Sequence, residues 1–292
     1  MILGPLCCDY NIDFEGYGSK ELGGAVYFSY FAARATNANV YASIKMSEAD
    51  YRYLEHFPSE KESIKLIPSS VTTQIRNQYF TADRERRISS STMQSDEITI
   101  DEVPDVPVKL YHLAGLLVGD FRGDIIIELS KKGLVSADMQ GFLRHRNPET
   151  GQMSLEDWPE KIDYIKYLTF LKVDAAEAEI LTGLSDRKEA AKKLYEWGAK
   201  EIMISFNQEM LIYDGMSFYT CPVKSRNLSG RTGRGDTVFA SYISKRVMGS
   251  SIKDSLLFAT VMVSLKMETV GAFQGTYDDV INYMKEFYPE YQ

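Results

Sequence analysis

The stretch SGRTGRGDTVFASYI, residues 229–243, combines residue types that suit anion binding and acid–base chemistry. Gly230, Gly233 and Gly235 stand directly ahead of an apolar helical run, and Asp236 follows them. Glycine permits backbone paths that other residues resist, and the N–H groups at a helix start attract anions. We therefore predict that an oxyanion binds where this turn enters the helix.

Two roles are open for Asp236 in the first turn of that helix. It can interact favourably with the helix dipole, which is worth ~0.3–1 kcal/mol. A carboxylate beside a bound phosphoryl group can instead accept the proton of an attacking hydroxyl. Two familiar phosphate loops are excluded, because the chain has no G-x-x-x-x-G-K-[ST] and its glycines are not spaced as in the dinucleotide fingerprint.

The composition limits the classes of protein to which the chain can belong. The chain has 292 residues, of which 44% are hydrophobic and 25% charged, and its net charge is −8. This balance is typical of a globular protein and argues against a nucleic-acid partner. The three cysteines make no disulfide framework, no apolar run is long enough to span a membrane, and the N-terminus does not read as a signal peptide. We expect a cytoplasmic enzyme with no membrane partner.

Strand-like and helix-like segments alternate from about residue 105 onward. The predicted strands are KLYHLAGL, GLVSADMQG, YLTFLKVD and EIMISFN, and the predicted helices are GDIIIELSKKG, AAEAEILTG and RKEAAKKLYEWGAK. Such alternation predicts a parallel sheet covered by helices on both faces. Residues 10–22 and 71–92 instead alternate polar and apolar side chains, which favours a small exposed sheet that acts as a lid. Plain surface hairpins are the alternative.

Three polar clusters stand at ends of predicted strands: Asn11 with Asp13, Gln140 with Arg144, and Asp236. Strand ends in an α/β sheet gather at one edge, so these clusters can converge on one small ligand. Their carboxylates, amides and guanidinium suit a ring that carries many hydroxyls. We predict a sugar or polyol substrate bound through Asp13, although a turn residue that bonds its own backbone is the alternative for Asp13.

Asp174 and Glu177 form a D-x-x-E pair ahead of an apolar helix. The pair predicts a capping box, in which Asp174 caps the helix and Glu177 reaches back to it.

The glycine stretch resembles the signature of the ribokinase-like (PfkB) carbohydrate kinases, usually D-T-x-G-A-G-D-x-F. Gly233, Gly235, Asp236 and Phe239 match it. Four other pieces resemble family elements in the expected order: CDYNID, the substrate-binding N-x-D; LGGAVYFS, the early Gly-Gly turn; VDAAEAEILTG, the N-x-x-E-x-E-x-L-T-G segment; and VSLKMETVGAFQG, the closing segment near the nucleotide.

The resemblance implies a single domain over residues 1–292, a three-layer α/β/α sandwich with a small β-sheet lid. It implies ATP-dependent phosphorylation of a sugar or polyol hydroxyl, with ATP and Mg²⁺ as cofactors and two copies pairing through the lid. The residues carried over are Asp236, Gly233, Arg234 and Gly235 for catalysis; Asn11, Asp13, Gly23, Gly24, Gln140 and Arg144 for the substrate; Asp174, Ser205 and Gly271 for the nucleotide; and Glu177 for magnesium.

The chain departs from the family pattern near the phosphates. The family's leading aspartate, which commonly helps bind a monovalent cation, is Gly230, so we expect activity to need magnesium but to respond little to potassium. The usual alanine is Arg234, which could add charge to phosphate binding or point to solvent. The T-x-G-x-x-G near the adenine is SFNQEM, residues 205–210, without its glycines. An asparagine that holds sugar in ribokinase itself is Phe28.

Three functions remain open from the sequence. The pattern ADMQGFLR, residues 137–144, resembles a branch of the family that includes inositol kinases of archaea, which favours a polyol kinase. Tyr17, Tyr79 and Phe80 in the lid could stack on a base, as in a nucleoside kinase. The lost glycines at 205–210 would fit a catalytically dead sugar-binding regulator, but a pure binder has no need of Asp236.

Overall fold

Two sheets organise the structure, a computed structural model that describes residues 1–58, 63–81 and 87–291. In chain order the strands are β1 (Ile2–Pro5), β2 (Cys7–Ile12), β3 (Gly18–Gly23), β4 (Ala42–Met46), β5 (Ile64–Pro68), β6 (Thr73–Tyr79), β7 (Arg87–Met93), β8 (Leu110–Leu113), β9 (Leu134–Asp138), β10 (Arg144–Arg146), β11 (Met153–Leu155), β12 (Phe170–Asp174), β13 (Glu201–Ser205), β14 (Glu209–Tyr213) and β15 (Phe218–Pro222).

The larger sheet has nine strands in the order β15-β14-β13-β12-β9-β8-β1-β4-β5. Its strands from β13 to β5 run parallel, and β14 and β15 add an antiparallel edge. The central strands are short apolar runs buried along their length, as the sequence predicts for a sheet covered on both faces.

Helices cover both faces of this sheet, so the body is a three-layer α/β/α sandwich. They are α1 (Ala25–Arg34), α2 (Asp124–Ser130), α3 (Gln140–Leu143), α4 (Lys161–Ile165), α5 (Ala175–Thr182), α6 (Arg187–Glu196), α7 (Arg234–Val247), α8 (Ile252–Lys266) and α9 (Tyr277–Phe287), with 3₁₀ turns at Glu48–His56, Ile100–Glu102 and Pro289–Tyr291. One apolar core packs α2, α5 and α6 against the sheet, and a second packs α7, α8 and α9. The predicted fold class is confirmed.

A separate four-stranded sheet has the order β3-β2-β6-β7 and carries most of the two segments predicted to form a lid. Of the second segment, residues 82–86 lie outside the described residues. The strand β2 follows β1 after the single residue Leu6, whose N–H donates to the carbonyl oxygen of Lys45 at 3.0 Å. The first strand of the chain therefore passes directly from the large sheet into the small one.

Within the described residues, no helix has the length and apolar character needed to cross a membrane.

Candidate functional site

A cavity of about 400 Å³ lies between the small sheet and the carboxyl ends of the central parallel strands. Its described lining is Cys7, Asp9, Gly24, Ala25, Phe28, Ile75, Asn77, Tyr79, Ser89, Leu116, Asp138, Gln140, Arg144, Met153, Lys172, Asp174, Ser205, Asn207 and Arg231–Asp236. Ligands of open α/β sheets collect at this edge. The cavity therefore unites the glycine turn with Gln140 and Arg144, as predicted from the strand ends.

The glycine turn enters α7 in a conformation that side chains would obstruct. Gly233 caps the helix with φ +78°, and a Cβ there would lie 2.2 Å from a ring carbon of Phe28. A Cβ on Gly235 would lie 2.9 Å from the Nζ of Lys172. These two glycines let the backbone approach both side chains, and the helix begins at Arg234 with its first N–H groups directed out of the helix.

Asp236 lies in the first turn of α7, partly buried at the floor of the cavity. Burial and the neighbouring carboxylate of Asp138 raise its pKa to about 6, although Lys172 and Arg144 act in the opposite direction. The carboxylate of Asp236 is therefore ionised at neutral pH and is a better proton acceptor than an ordinary surface aspartate.

Lys172 is a charged side chain within the buried strand β12, and its exposed fraction is 5%. Its Nζ donates to both carboxylate oxygens of Asp138, at 2.9 and 3.1 Å, and lies 3.8 Å from Glu177. Burial alone would lower the pKa of Lys172, but the surrounding carboxylates raise it above its ordinary value. Lys172 belongs to no motif in the sequence, although a lone lysine in an apolar strand is a usable signal of a buried charge.

Asp174 and Glu177 form the predicted capping box at the start of α5. The N–H of Glu177 donates to Asp174 at 2.9 Å, and the Glu177 carboxylate accepts the N–H of Asp174 at 2.8 Å. Burial raises the pKa of Glu177 to about 7, with Lys172 opposing that shift. Ser205 pairs with Asp174 in the register of β12 and β13, so both reach the same end of the cavity.

At the lid end, Asp9 is the carboxylate that lines the cavity, and it is 7% exposed. It accepts the S–H of Cys7 at 3.0 Å. A Cβ on Gly23 would lie 2.5 Å from the Asp9 carboxylate, and Gly24 adopts φ +101° close to the backbone of Cys7. The Gly-Gly turn predicted from the sequence therefore makes room for Asp9, which the sequence analysis did not name.

Asn77 and Ser89 line the cavity from adjacent lid strands. The Ser89 hydroxyl donates to the Asn77 side-chain oxygen at 2.6 Å, and the Asn77 amide donates to Asn11 at 2.9 Å. Asn11 thus lies behind Asn77 rather than among the described lining residues. The predicted residue Asn11 reaches the site only through Asn77.

Gln140 and Arg144 flank the short helix α3 after β9. Arg144 donates to the Gln140 side-chain oxygen at 2.6 Å, and the Gln140 N–H donates to Asp138 at 3.2 Å. Both predicted residues therefore reach the cavity and are tied to the carboxylate that holds Lys172.

Two arginines lie within the glycine turn itself. Arg231 and Arg234 both line the cavity, and both donate to the side-chain oxygen of Asn207, at 3.2 and 2.8 Å. Asn207 belongs to the stretch where the sequence lacks the family glycines. Arg234 therefore lines the cavity beside the predicted anion site.

Several predicted residues lie elsewhere. Asp13 accepts the N–H groups of Glu15 and Tyr17 at 3.0 and 2.8 Å, in the turn between β2 and β3, and is absent from the described lining. This is the turn role that the sequence left open. Gly271 also lies outside the described lining, and a Cβ there would meet nothing within 4 Å.

The three aromatic residues considered for stacking on a base differ in whether they line the cavity. Tyr79 is buried and lines the cavity, whereas Tyr17 and Phe80 are 72% and 51% exposed. One of the three is thus in place for a ligand in this structure.

Comparison with known proteins agrees with this geometry. The chain matches the pfkB family of carbohydrate kinases over residues 79–276. Among curated proteins, it is 31% identical over 117 residues to the hydroxymethylpyrimidine/phosphomethylpyrimidine kinase of Aquifex aeolicus, a match that covers 34% of this chain and 45% of that protein. The matched part spans less than half the length of the curated relatives.

Solved structures match almost the whole chain. A pyrophosphate-dependent kinase of the ribokinase family, complexed with a pyrophosphate analog and myo-inositol, has a TM-score of 0.86 at 29% identity over 96% of this chain and 98% of its own. A pyrophosphate-dependent myo-inositol-1 kinase, converted into a myo-inositol-3 kinase by replacing one asparagine and one serine with leucine, has a TM-score of 0.85 at 27% identity over 98% and 99%.

Proposed function

Because the chain belongs to the pfkB family of carbohydrate kinases, we propose that it phosphorylates a hydroxyl of a cyclic polyol of the myo-inositol type with inorganic pyrophosphate as the donor. The pyrophosphate P–O–P bond breaks, a P–O–C bond forms on the polyol, and orthophosphate leaves. The hydroxyl proton passes to Asp236. This proposal replaces ATP, the donor implied by the sequence resemblance, with a smaller anion.

The observation that carries the choice of donor is the charge around the glycine turn. Arg231 and Arg234 meet on Asn207 beside the N–H groups of the turn. Ser205, Asn207 and Arg231–Gly235, which line this end of the described cavity, are polar residues or glycines. A compact, highly charged donor such as pyrophosphate fits such a lining, because guanidinium groups bind phosphate oxygens in a planar, bidentate geometry. The pyrophosphate-dependent structural relatives support the same donor.

The acceptor proposal rests on the polar groups at the lid end. Asp9, Asn77 and Ser89 face the same cavity as Gln140 and Arg144. A carboxylate, two amides and a hydroxyl can satisfy several ring hydroxyls at once. We assign to Asp9 the role that the sequence gave to Asp13, because Asp9 lines the cavity at the lid end and Asp13 does not.

Catalysis in this arrangement consists of positioning and charge stabilisation. Asp236 accepts the hydroxyl proton, and the N–H groups of Gly233 to Asp236 hold the negative charge that develops on the transferred group. The Lys172 ammonium lies beside Gly235, held there by Asp138, and adds a buried positive charge next to the reacting atoms. The lid sheet excludes water from the acceptor end.

Magnesium fits the carboxylates of the site. Asp138, Asp174, Glu177 and Asp236 surround the Lys172 ammonium, and burial, together with the neighbouring carboxylates, raises the pKa values of Glu177 and Asp236. Among the described residues no three His, Cys, Asp or Glu side chains are grouped to hold a metal directly. We propose that Glu177 and Asp174 hold Mg²⁺ through waters and that the ion supplies charge neutralisation for the donor phosphates.

The donor and the acceptor are tested together. The purified protein is incubated with magnesium, either pyrophosphate or ATP, and a panel of myo-inositol, ribose and nucleosides, and the phosphorylated product is measured. We expect turnover with pyrophosphate and myo-inositol. Turnover with ATP alone would overturn the donor, turnover with nucleosides alone would overturn the polyol, and no product in any combination would favour the sugar-binding regulator.

Two further expectations stay predictions: a cytoplasmic location and the pairing of two copies through the lid.

A further inference from the structure

A buried lysine outside the catalytic cluster contacts the glycine turn from behind. Lys266, the last residue of α8, has an exposed fraction of 0%. Its Nζ donates to the carbonyl oxygen of Gly230 at 2.6 Å and also to the carbonyl oxygen of Thr232. Both carbonyls belong to the turn that leads into α7. One ammonium group therefore bridges two backbone oxygens directly ahead of the anion-binding N–H groups.

This ammonium is compensated by dipoles and an aromatic face instead of an adjacent carboxylate. Among the described residues no acidic group lies within ion-pair distance of Lys266, and its Nζ lies 5.2 Å from the centre of the Phe28 ring. Burial lowers the pKa of Lys266 to about 8, while Asp236 and Glu21 raise it. The group therefore stays charged at neutral pH, in a place where an uncompensated charge is costly.

The surrounding packing leaves the turn little freedom to avoid this lysine. The N–H of Gly230 donates to the carbonyl oxygen of Met267 at 2.7 Å, and a Cβ on Gly230 would lie 1.6 Å from the carbonyl oxygen of Thr269. Gly230 is thus pressed against the end of α8, and Phe28 closes the other side at Gly233. The carbonyls of Gly230 and Thr232 converge, and a positive charge between them offsets the repulsion of their dipoles.

We propose that the Lys266 ammonium acts as a built-in monovalent cation, which fixes the carbonyls of the glycine turn and thereby holds the N–H groups of residues 233–236 toward the transferred phosphoryl group. Lys266 is a positioning residue, because it acts through the turn and does not line the described cavity. The inference rests on the proposed kinase activity for its catalytic consequence. It also gives a physical reason why the wild-type protein should not respond to potassium.

The test compares three changes in α8. Lys266→Ala removes the ammonium and leaves space between the two carbonyls, Lys266→Met removes the charge but fills the space, and Lys253→Ala at the exposed start of the same helix is the matched control. Transfer from pyrophosphate to myo-inositol is measured in potassium, ammonium or choline chloride at constant ionic strength. The midpoint of thermal unfolding is measured in the same salts.

We expect kcat to fall by up to about 100-fold in both Lys266 variants, the loss that a small displacement of a positioned group causes. Potassium or ammonium should restore kcat and raise the thermal midpoint of Lys266→Ala only. The wild type, Lys266→Met and Lys253→Ala should respond equally to potassium and choline. Dissociation constants for myo-inositol should stay close to wild type, because the acceptor groups lie on other elements.

Three results would overturn the inference: selective potassium activation of the wild type, wild-type turnover in folded Lys266→Met, or a folded Lys266→Ala that no cation affects in either measurement. If Lys266→Ala does not fold even in potassium, the kcat of Lys266→Met tests the inference, since wild-type turnover in that variant would overturn it. A wild type that transfers no phosphate would overturn the proposed function instead, and the thermal midpoints would still test the cation role of Lys266.

Discussion

Asp236 owes its chemistry to the residues around it more than to its place in a motif. Burial and Asp138 raise its pKa to about 6, while Lys172 and Arg144 act against this rise and keep the pKa below neutral pH. A carboxylate balanced in this way can be ionised before transfer and accept a proton during it. The helix dipole acts on the same residue, so the two roles considered from the sequence are compatible.

Replacing Asp236 with asparagine should separate catalysis from binding. Asp236→Asn keeps the shape of the side chain but cannot accept the hydroxyl proton, so kcat should fall by at least about 100-fold while the KM for the polyol changes little. Steady-state kinetics with pyrophosphate and myo-inositol measure this. Near-normal turnover in a folded Asp236→Asn protein would remove Asp236 as the base.

Asp9 and Asp13 offer a matched comparison at the lid. Asp9 lines the cavity, whereas Asp13 caps its own turn. Asp9→Asn should lower kcat/KM for the polyol by about 10- to 150-fold, because a buried acceptor for substrate hydroxyls is lost. Asp13→Asn should leave kcat/KM unchanged, and the KM for pyrophosphate should be unaffected in both. The opposite ranking of the two variants would return the substrate role to Asp13.

At the scale of elements, the small sheet places side chains of the two strands β6 and β7 in the wall of the cavity. Ser89 on β7 orients the Asn77 amide on β6 through a hydrogen bond of 2.6 Å. Because inward and outward side chains alternate along a strand, the neighbours of these residues face away from the cavity. Asn77 and Ser89 are thus a hydrogen-bonded polar pair in the cavity wall, and we propose that this pair selects which ring hydroxyl of the polyol points at Asp236.

Replacing this pair by leucine should change the product. Asn77→Leu with Ser89→Leu makes the wall apolar, so the ring should bind in another orientation and a different hydroxyl should become phosphorylated. The phosphorus and proton NMR spectra of the product identify the position. Thr92→Leu, on the exposed face of β7, is the control and should give the wild-type product. An unchanged product from the double variant would remove this pair from specificity.

Secondary-structure elements could be predicted from the sequence more accurately than the contacts between side chains of different elements. The βα alternation, the capping box of Asp174 and Glu177 and the glycine turn depend on local patterns, which a sequence displays directly. Asp13 was selected as the residue at the end of the first strand. That strand instead leaves the large sheet after Pro5 and continues in the lid, so the end that faces the cavity lies nearer Asp9.

Contacts between distant segments could not be predicted from local patterns. Lys172 on β12 contacts Asp138 on the neighbouring strand β9, and Lys266 at the end of α8 contacts Gly230 ahead of α7. Each lysine stands in an apolar run, which signals a buried charge without identifying its partner. Arg231 and Asn207 are likewise joined only by the fold, so the charge of the donor end was not apparent from the lost glycines.

For the molecule as a whole, two carboxyl groups of the candidate site make stability depend on pH. Asp236 and Glu177 bind protons more tightly in the folded protein than in the unfolded chain, since their folded pKa values lie near 6 and 7. Their contribution to the free energy of unfolding is therefore full below about pH 4 and is lost as the pH rises through these values. If only these two groups are considered, the ligand-free protein should be less stable at pH 8 than at pH 5.

Asp236→Asn should consequently be more stable than the wild type at pH 8, by about 1–2 kcal/mol, since the variant carries no charge at this position. The difference should shrink toward pH 4. Urea unfolding without ligands measures it, and Glu149→Gln in an exposed loop is the control. A variant less stable than the wild type at pH 8 would show that the Asp236 charge is well compensated in the folded protein.

The single residue that separates β1 from β2 has a consequence for how motion spreads through the protein. Because Cys7 follows Leu6 directly, the backbone amides at the base of the small sheet continue from the strand β1 of the large sheet, while Ile12 lies at the far end of β2. If the small sheet opens, we therefore expect β2 to bend progressively, because no linker separates it from β1. Protection from hydrogen exchange should decline along this strand, from the nearly global value at Cys7 to fast local opening at Ile12.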